Sequence, residues 1–270
     1  MFNAAYSGWF AHSRSSNSGQ VGSAASHPMI NLQIYGLGGY LGSEITSTPP
    51  PDGIVIHRLQ RDEWPTHPGV VLDLSIPTQP KNSLEIETYQ QLISQRTVAA
   101  GRVGCTYMYA GSTSSAGSAS SAYGLLKQQT EDIVKSHGGI VVRFGLICNW
   151  EKPGGRFKEL VEILGRLPII PCPDEREMQL FLTSHTCAIN TIFNACTFDF
   201  QANDYISLGT TEGSLGEIAR SYAHLHNKRT IRIQRHFVKI LLNLVKLIPN
   251  SLDPIKSLTT HRNIAHLPTI

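Results

Sequence analysis

From residue 31 onward, the chain alternates short β-rich apolar runs with longer stretches of helical period. Residues 31–35, 54–59, 70–74, 105–109 and 140–144 predict strands. Residues 84–100 and 123–137 predict helices among them, and 157–164 and 214–225 predict two more. Residues 167–171 predict a turn or short strand. Strands alternating with helices imply an α/β fold, a parallel sheet with helices on both faces. Pro49-Pro50-Pro51 stands where the first crossover helix should finish, so that helix is short or broken early. Residues 237–248 are apolar except at Lys239, Asn243 and Lys246. That run is too short to span a bilayer and predicts a helix packed on the core or over a site. A membrane-surface anchor is the alternative. No internal repeat is visible.

Residues 1–28 are unlike the rest. They are rich in Ser, Gly and Ala, have Arg14 as their one Lys or Arg, and precede the first acid of the chain, Glu44. The basic start and compact apolar stretch of a secretory signal are both missing. The expectation is a disordered extension, with Met29 opening the folded domain. An organelle transit peptide is the other reading.

Length and composition narrow the class. A chain of 270 residues corresponds to one large domain or two small ones at ~150 residues each. Charged residues make up 16 %, below the usual ~25 %. Collagen, coiled coil and wholesale disorder are excluded, and so is a bundle of membrane helices, because no run approaches ~18 apolar residues. The net charge is +3 but unevenly spread. From Arg220 onward nine Lys/Arg face one acid, Asp253, while the remainder carries fourteen against nineteen. That asymmetry points to solvated helix faces or to an anionic partner. Cysteines 105, 148, 172, 187 and 196 form no CxxC pair. They read as small buried thiols in a reducing compartment.

Three features carry chemistry. Gly36, Gly39 and Gly42 fall at GxxGxxG spacing between a strand and a helix. Such a turn lets a pyrophosphate reach a helix N-terminus, where free N–H groups and the dipole favour anions. At the end of the second strand, Gln60 stands where an acid would bind ribose hydroxyls, flanked by Arg58 and Arg61. A neutral residue among arginines leans toward the 2′-phosphate of NADP. Tyr123 and Lys127 share a helix face at i, i+4. A nearby cation lowers a phenol's pKa from ≈ 10 toward neutrality. Ser112, eleven residues upstream and just past a strand, can hydrogen-bond a substrate oxygen while Tyr123 exchanges a proton with it. Thr113 and Ser114 are alternatives for that hydroxyl. His224 and His226, two apart, do not share a helix face and read as surface residues; no metal is expected.

Gly36-x-x-Gly39-x-x-Gly42, Ser112 and Tyr123-x-x-x-Lys127, in that order and spacing, resemble the short-chain dehydrogenase/reductase superfamily. More narrowly they resemble its extended and atypical, NAD(P)-dependent nucleotide-sugar epimerase/dehydratase branch. The resemblance runs from about Met29 to at least Leu225. It takes in Val142-Arg143-Phe144-Gly145, Leu167-Pro168-Ile169-Ile170-Pro171 and Gly213-Ser214-Leu215-Gly216-Glu217-Ile218. It implies a Rossmann-type doubly wound parallel sheet over residues 29–150. A small C-terminal substrate lobe would span 151–270, partly packing back on the sheet. Two departures stand out: Thr88 and its neighbours where relatives often have an Asn, and Asp73-Leu74-Ser75-Ile76-Pro77 in place of a small-residue pair.

By the same resemblance the cofactor is NADP or NAD, with NADP favoured, held by Gly36, Gly39, Tyr40, Leu41, Gly42, Arg61 and Lys127. Tyr123 would be the acid/base, Lys127 would lower its pKa and bind the nicotinamide ribose, and Ser112 would polarise the reacting C–O group. The activity implied is an oxidoreductase or epimerase acting on a nucleotide-activated sugar. The alternative is a catalytically inactive NAD(P)-binding subunit or redox-sensing module. The expected setting is cytoplasmic, without nucleic acid or a membrane span, and with a possible homodimer. Arg229, Arg232 and Arg235 are candidates for the substrate's diphosphate, and a basic membrane surface over residues 220–262 is a third reading.

Overall fold

A computed structural model describes residues 29–75, 83–115, 122–174, 178–197, 205–206 and 210–234. The expectations for residues 1–28, for 237–248 and for Arg235 lie outside them. In chain order the first half comprises β1 (Ile30–Tyr35), α1 (Tyr40–Ser47), β2 (Ile54–Leu59), β3 (Gly69–Asp73), α2 (Ser83–Arg102), β4 (Cys105–Ser112), α3 (Ala122–Ser136) and β5 (Ile140–Phe144). The second half comprises β6 (Leu146–Cys148), α4 (Gly155–Arg166), β7 (Ile169–Pro173), β8 (Gln179–Ser184) and α5 (His185–Thr197). It ends with β9 (Tyr205–Ile206), β10 (Thr210–Ser214), α6 (Leu215–Leu225) and β11 (Arg229–Ile233).

The central sheet is parallel throughout, in the order β2-β1-β3-β4-β5-β9. Successive residues of its strands enter opposite cores, as strand geometry requires. Leu32, Ile34, Leu72, Met108 and Val142 pack on one face against Ile45 of α1 and Ile189, Ile192 and Phe193 of α5. Tyr35, Val71, Tyr107, Tyr109 and Val141 pack on the other against Tyr89 and Ile93 of α2 and Leu126 and Val134 of α3. The α/β reading therefore holds, with helices on both faces. Helix α1 is eight residues long and stops ahead of the three prolines, as their position requires.

Because β2 and β3 lie on opposite sides of β1, the strand order reverses there. The crevice outside the carboxyl ends of β1 and β3 is the place where open α/β sheets take their ligands. A third core lies beside the sheet. Phe157, Leu160 and Leu164 of α4, spaced at i, i+3 and i+7, meet Ile170, Leu180, Ile218 and Tyr222. Two small sheets, β10-β8-β6 and β11-β7, flank this core. Ser214 caps α6, its side chain accepting the Glu217 N–H. Residues after Trp150 thus contribute to both parts, since α5 and β9 join the central layer. Among the described residues, no helix is long and apolar enough to cross a membrane.

Candidate functional site

The glycine loop that follows β1 closes tightly on itself. Gly36 has φ +82°, and a Cβ there would lie 2.7 Å from the Leu74 carbonyl carbon and the Ser75 nitrogen at the end of β3. At Gly42 a Cβ would lie 2.5 Å from Leu37 Cα. Both positions need glycine for the protein's own packing. Gly39 differs: its nearest neighbour is the Gly36 oxygen at 3.5 Å, so its missing side chain leaves room. No side chain caps α1 at Gly39, and its first-turn amides lack intrahelical partners.

Two cavities meet at Gly36. The larger, about 700 Å³, is lined by Arg58, Gln60, Arg61, Thr88, Tyr89 and Arg96 among others. The smaller, about 310 Å³, is lined by Gly39, Tyr40, Leu41, Gly42, Ser112, Tyr123 and Lys127, together with Gly154, Arg156 and Phe181 from beyond the central sheet. Each catalytic or cofactor-binding residue expected from the sequence lines one of the two, and Gly36 lines both.

Behind the larger cavity, Asp73 is fully buried. It accepts hydrogen bonds from Arg96 Nη1 (2.8 Å), the Tyr107 hydroxyl (2.7 Å), and the Ser75 N–H (2.8 Å) and Oγ (2.6 Å). Arg96 also lies 3.6 Å over the Tyr35 ring and donates Nη2 to the Arg61 carbonyl (2.9 Å), which anchors the segment bearing Arg61. Its buried Nε has no hydrogen-bond partner among the described residues. Burial drives the Tyr89, Tyr107 and Tyr109 phenols well above the usual value and pushes Tyr35 up to about 12.

In the smaller cavity, Tyr123, Lys127 and Glu131 succeed one another at four-residue steps along α3. Lys127 is buried, donates Nζ to the Ala110 carbonyl (2.5 Å) and lies 4.6 Å from the Tyr109 ring centre. Burial pulls its pKa from 10.5 to about 7, against the opposing pull of the Glu131 and Asp73 carboxylates. Tyr123 is half-buried. Burial raises its phenol above 10.0, and the Arg156 charge works in the other direction. Ser112 closes β4, its Oγ 2.8 Å from Ser114 Oγ and accepting the Ser114 N–H. Glu131 accepts from the Ser112 N–H (3.2 Å) and Ser115 Oγ (2.6 Å) while pairing with Arg143 (2.7 Å). Thr113 and Ser114, the alternatives to Ser112, line the same cavity.

Two features escape a reading of the sequence. Glu131 and Arg143 brace the Ser112 turn from below; the four-residue step beyond Lys127 is the signal that could have found Glu131. Arg156 reaches the Tyr123 ring from α4 with no local signal at all. The basic residues proposed for a diphosphate lie elsewhere. Arg229 and Arg232 sit on β11, neither lines the two cavities, and Arg232 pairs with Asp174. His224 and His226 are exposed, and among the described residues no group of three or more His, Cys, Asp or Glu could hold a metal ion.

No protein-family model matches the chain, and no curated protein matches it in sequence. Solved structures match in fold. The dTDP-4-dehydrorhamnose reductase of Yersinia enterocolitica is 16 % identical, covers 77 % of this chain and 85 % of its own, and superposes with a TM-score of 0.62. The enzyme of that name from Bacillus anthracis, in complex with NADP, gives 13 %, 77 %, 86 % and 0.61. An epimerase from Methanothermobacter thermautotrophicus gives 14 %, 77 %, 80 % and 0.59. The chain shares the fold of these enzymes.

Proposed function

We propose that the protein is an NAD(P)-dependent enzyme that moves a hydride to or from a carbon of a nucleotide-activated sugar, with Tyr123 as proton donor and acceptor. The observation that carries this reading is the pair of cavities joined at Gly36, with arginines in one and Ser112, Tyr123 and Lys127 in the other. A dinucleotide has that form, two nucleoside halves joined by a pyrophosphate. The open side of Gly39 and the first-turn amides of α1 suit the pyrophosphate. Arg58 and Arg61 suit a 2′-phosphate. Likeness in fold to two dTDP-4-dehydrorhamnose reductases, one of them in complex with NADP, and to an epimerase supports the same assignment.

When bound, the nicotinamide supplies or accepts the hydride. The chain does the rest. In its ammonium form Lys127 gives one N–H to the Ala110 carbonyl and has two more that suit ribose hydroxyls. Ser112 donates to the reacting oxygen, and Tyr123 delivers or removes its proton. Gly154, Arg156 and Phe181 add residues from beyond the central sheet to the lining of this cavity, where the sugar would bind.

Titration of bound-cofactor fluorescence with NADPH and NADH, followed by hydride exchange against a panel of nucleoside-diphosphate sugars, tests the proposal. Binding of NADPH, exchange with at least one sugar, and loss of exchange but not of binding in Tyr123→Phe are expected. Exchange undiminished in Tyr123→Phe overturns the catalytic assignment. Tight NADPH binding without exchange makes the protein a dinucleotide-binding module.

A further inference from the structure

Among the described residues, the cation closest to the Tyr123 ring is not the one that helix spacing offers. Lys127 Nζ stands 6.0 Å from the ring centre and is already bonded to the Ala110 carbonyl. Arg156 Cζ lies 3.9 Å over the same ring. Its position follows from how α4 begins. Gly154, the residue ahead of the helix, packs so closely under the Tyr40 ring that a Cβ would overlap it. The Tyr40 hydroxyl donates to the Lys152 carbonyl (3.2 Å), and Lys152 Nζ pairs with Glu44 of α1 (2.5 Å). The start of α4 is thereby tied to α1, which places Arg156 at the wall of the smaller cavity.

A guanidinium over an aromatic face is attracted by the ring's electron density. Ionising the phenol adds density to that ring, so the cation favours phenolate over phenol. Arginine also remains charged across the range in which Lys127 gives up its proton. Among the described residues, the other groups around the phenol are Glu131, which opposes ionisation, the Tyr109 phenol, and Arg143, which is engaged with Glu131.

We infer that Arg156 is the positioning residue that sets the acidity of Tyr123, so that the part of the molecule carrying α4 governs proton transfer at the sheet. The role matters for catalysis only if Tyr123 transfers the proton, as proposed above. The test therefore reads the phenol directly, in the full chain and without turnover, so that its failure is distinguishable from failure of that reading. A polyfluorinated tyrosine, whose phenol ionises at lower pH, is placed at position 123 and titrated by fluorine NMR. Arg156→Met and Arg156→Gln should each raise its midpoint by about one unit, a tenfold fall in phenolate fraction. Arg156→Lys, which keeps the charge, should return at least half of that shift, and Lys127→Met should move the midpoint less than Arg156→Met. An unmoved midpoint in the two neutral variants overturns the inference. So does a Lys variant shifted as far as Arg156→Met, or a larger shift from Lys127→Met.

Discussion

Glu131 Oε2 accepts from both Nε and Nη2 of Arg143, at 3.0 and 2.7 Å, in a buried ion pair beneath the Ser112 turn. Its other oxygen holds the Ser112 N–H and the Ser115 hydroxyl. A buried pair adds little net stability when intact, but removing one partner strands the other charge, at a cost of about 3–5 kcal/mol. Glu131→Ala should lose about that much in urea denaturation, because the buried Arg143 charge and the Ser112 N–H lose this carboxylate together, while the Ser115 hydroxyl keeps the Ser112 carbonyl as acceptor. A loss under about 1 kcal/mol would show that water replaces the carboxylate and that the pair does not brace the turn.

Lys127 makes stability depend on pH. Its folded pKa of about 7 lies below the ordinary 10.5, so between those values the unfolded chain binds the extra proton. Unfolding free energy then rises with pH, by at most about 1.4 kcal/mol per unit from this group. The rise is offset above about pH 9, where half-buried Cys148 and buried Cys196, pushed up to about 12, keep protons that unfolded thiols release. Denaturation at several pH values should show stability increasing from pH 7 to 9, and Lys127→Met should flatten that rise. An equal slope in the variant would assign it to another group.

The first five strands and the helices between them were legible because each is a short β-rich run or a periodic stretch, bounded by turn residues. Ser112, Tyr123 and Lys127 were legible through spacing within one strand–turn–helix unit. Helix α5 was not. His185–Thr197 contains no Lys, Arg, Asp or Glu, and is built largely of Thr, Asn, Cys and β-branched residues of modest helix propensity. It is helical because Ile189, Ile192 and Phe193 fill the core under β1 and α1, a tertiary contact that no local window contains. Arg156 was illegible for a related reason. It lies 33 residues beyond Tyr123 in sequence, and the approach depends on where α4 starts. The Arg96–Asp73 pair, 23 residues apart, links α2 to the end of β3 and is likewise invisible to helical spacing.

Cofactor preference should reside in Arg58 and Arg61. Both are exposed at the larger cavity, and the Arg61 backbone is held by Arg96. A charged hydrogen bond contributes about 1.5–3 kcal/mol. Arg58→Ala with Arg61→Ala should therefore weaken NADPH binding roughly ten- to hundredfold while changing NADH binding little. Equal weakening of both cofactors in matched salt would mean that the arginines act through general charge and not through the 2′-phosphate.

Tyr40 and Gly154 give the most direct check on how α1 and α4 are joined. The Tyr40 ring occupies the space a Gly154 side chain would need, and both residues line the smaller cavity. Gly154→Ala should overpack that contact, at a cost of about 1–3 kcal/mol. In a Tyr40→Ala background the added methyl has room, so the same substitution should cost under about 0.5 kcal/mol. The double-mutant cycle by urea denaturation should then give a coupling of at least about 1 kcal/mol. Displacing the ring should also weaken NADPH binding, since Tyr40 is the first residue of α1 beside the glycine loop. Additive effects would separate the two residues energetically, and with them the link through which Arg156 is placed over Tyr123.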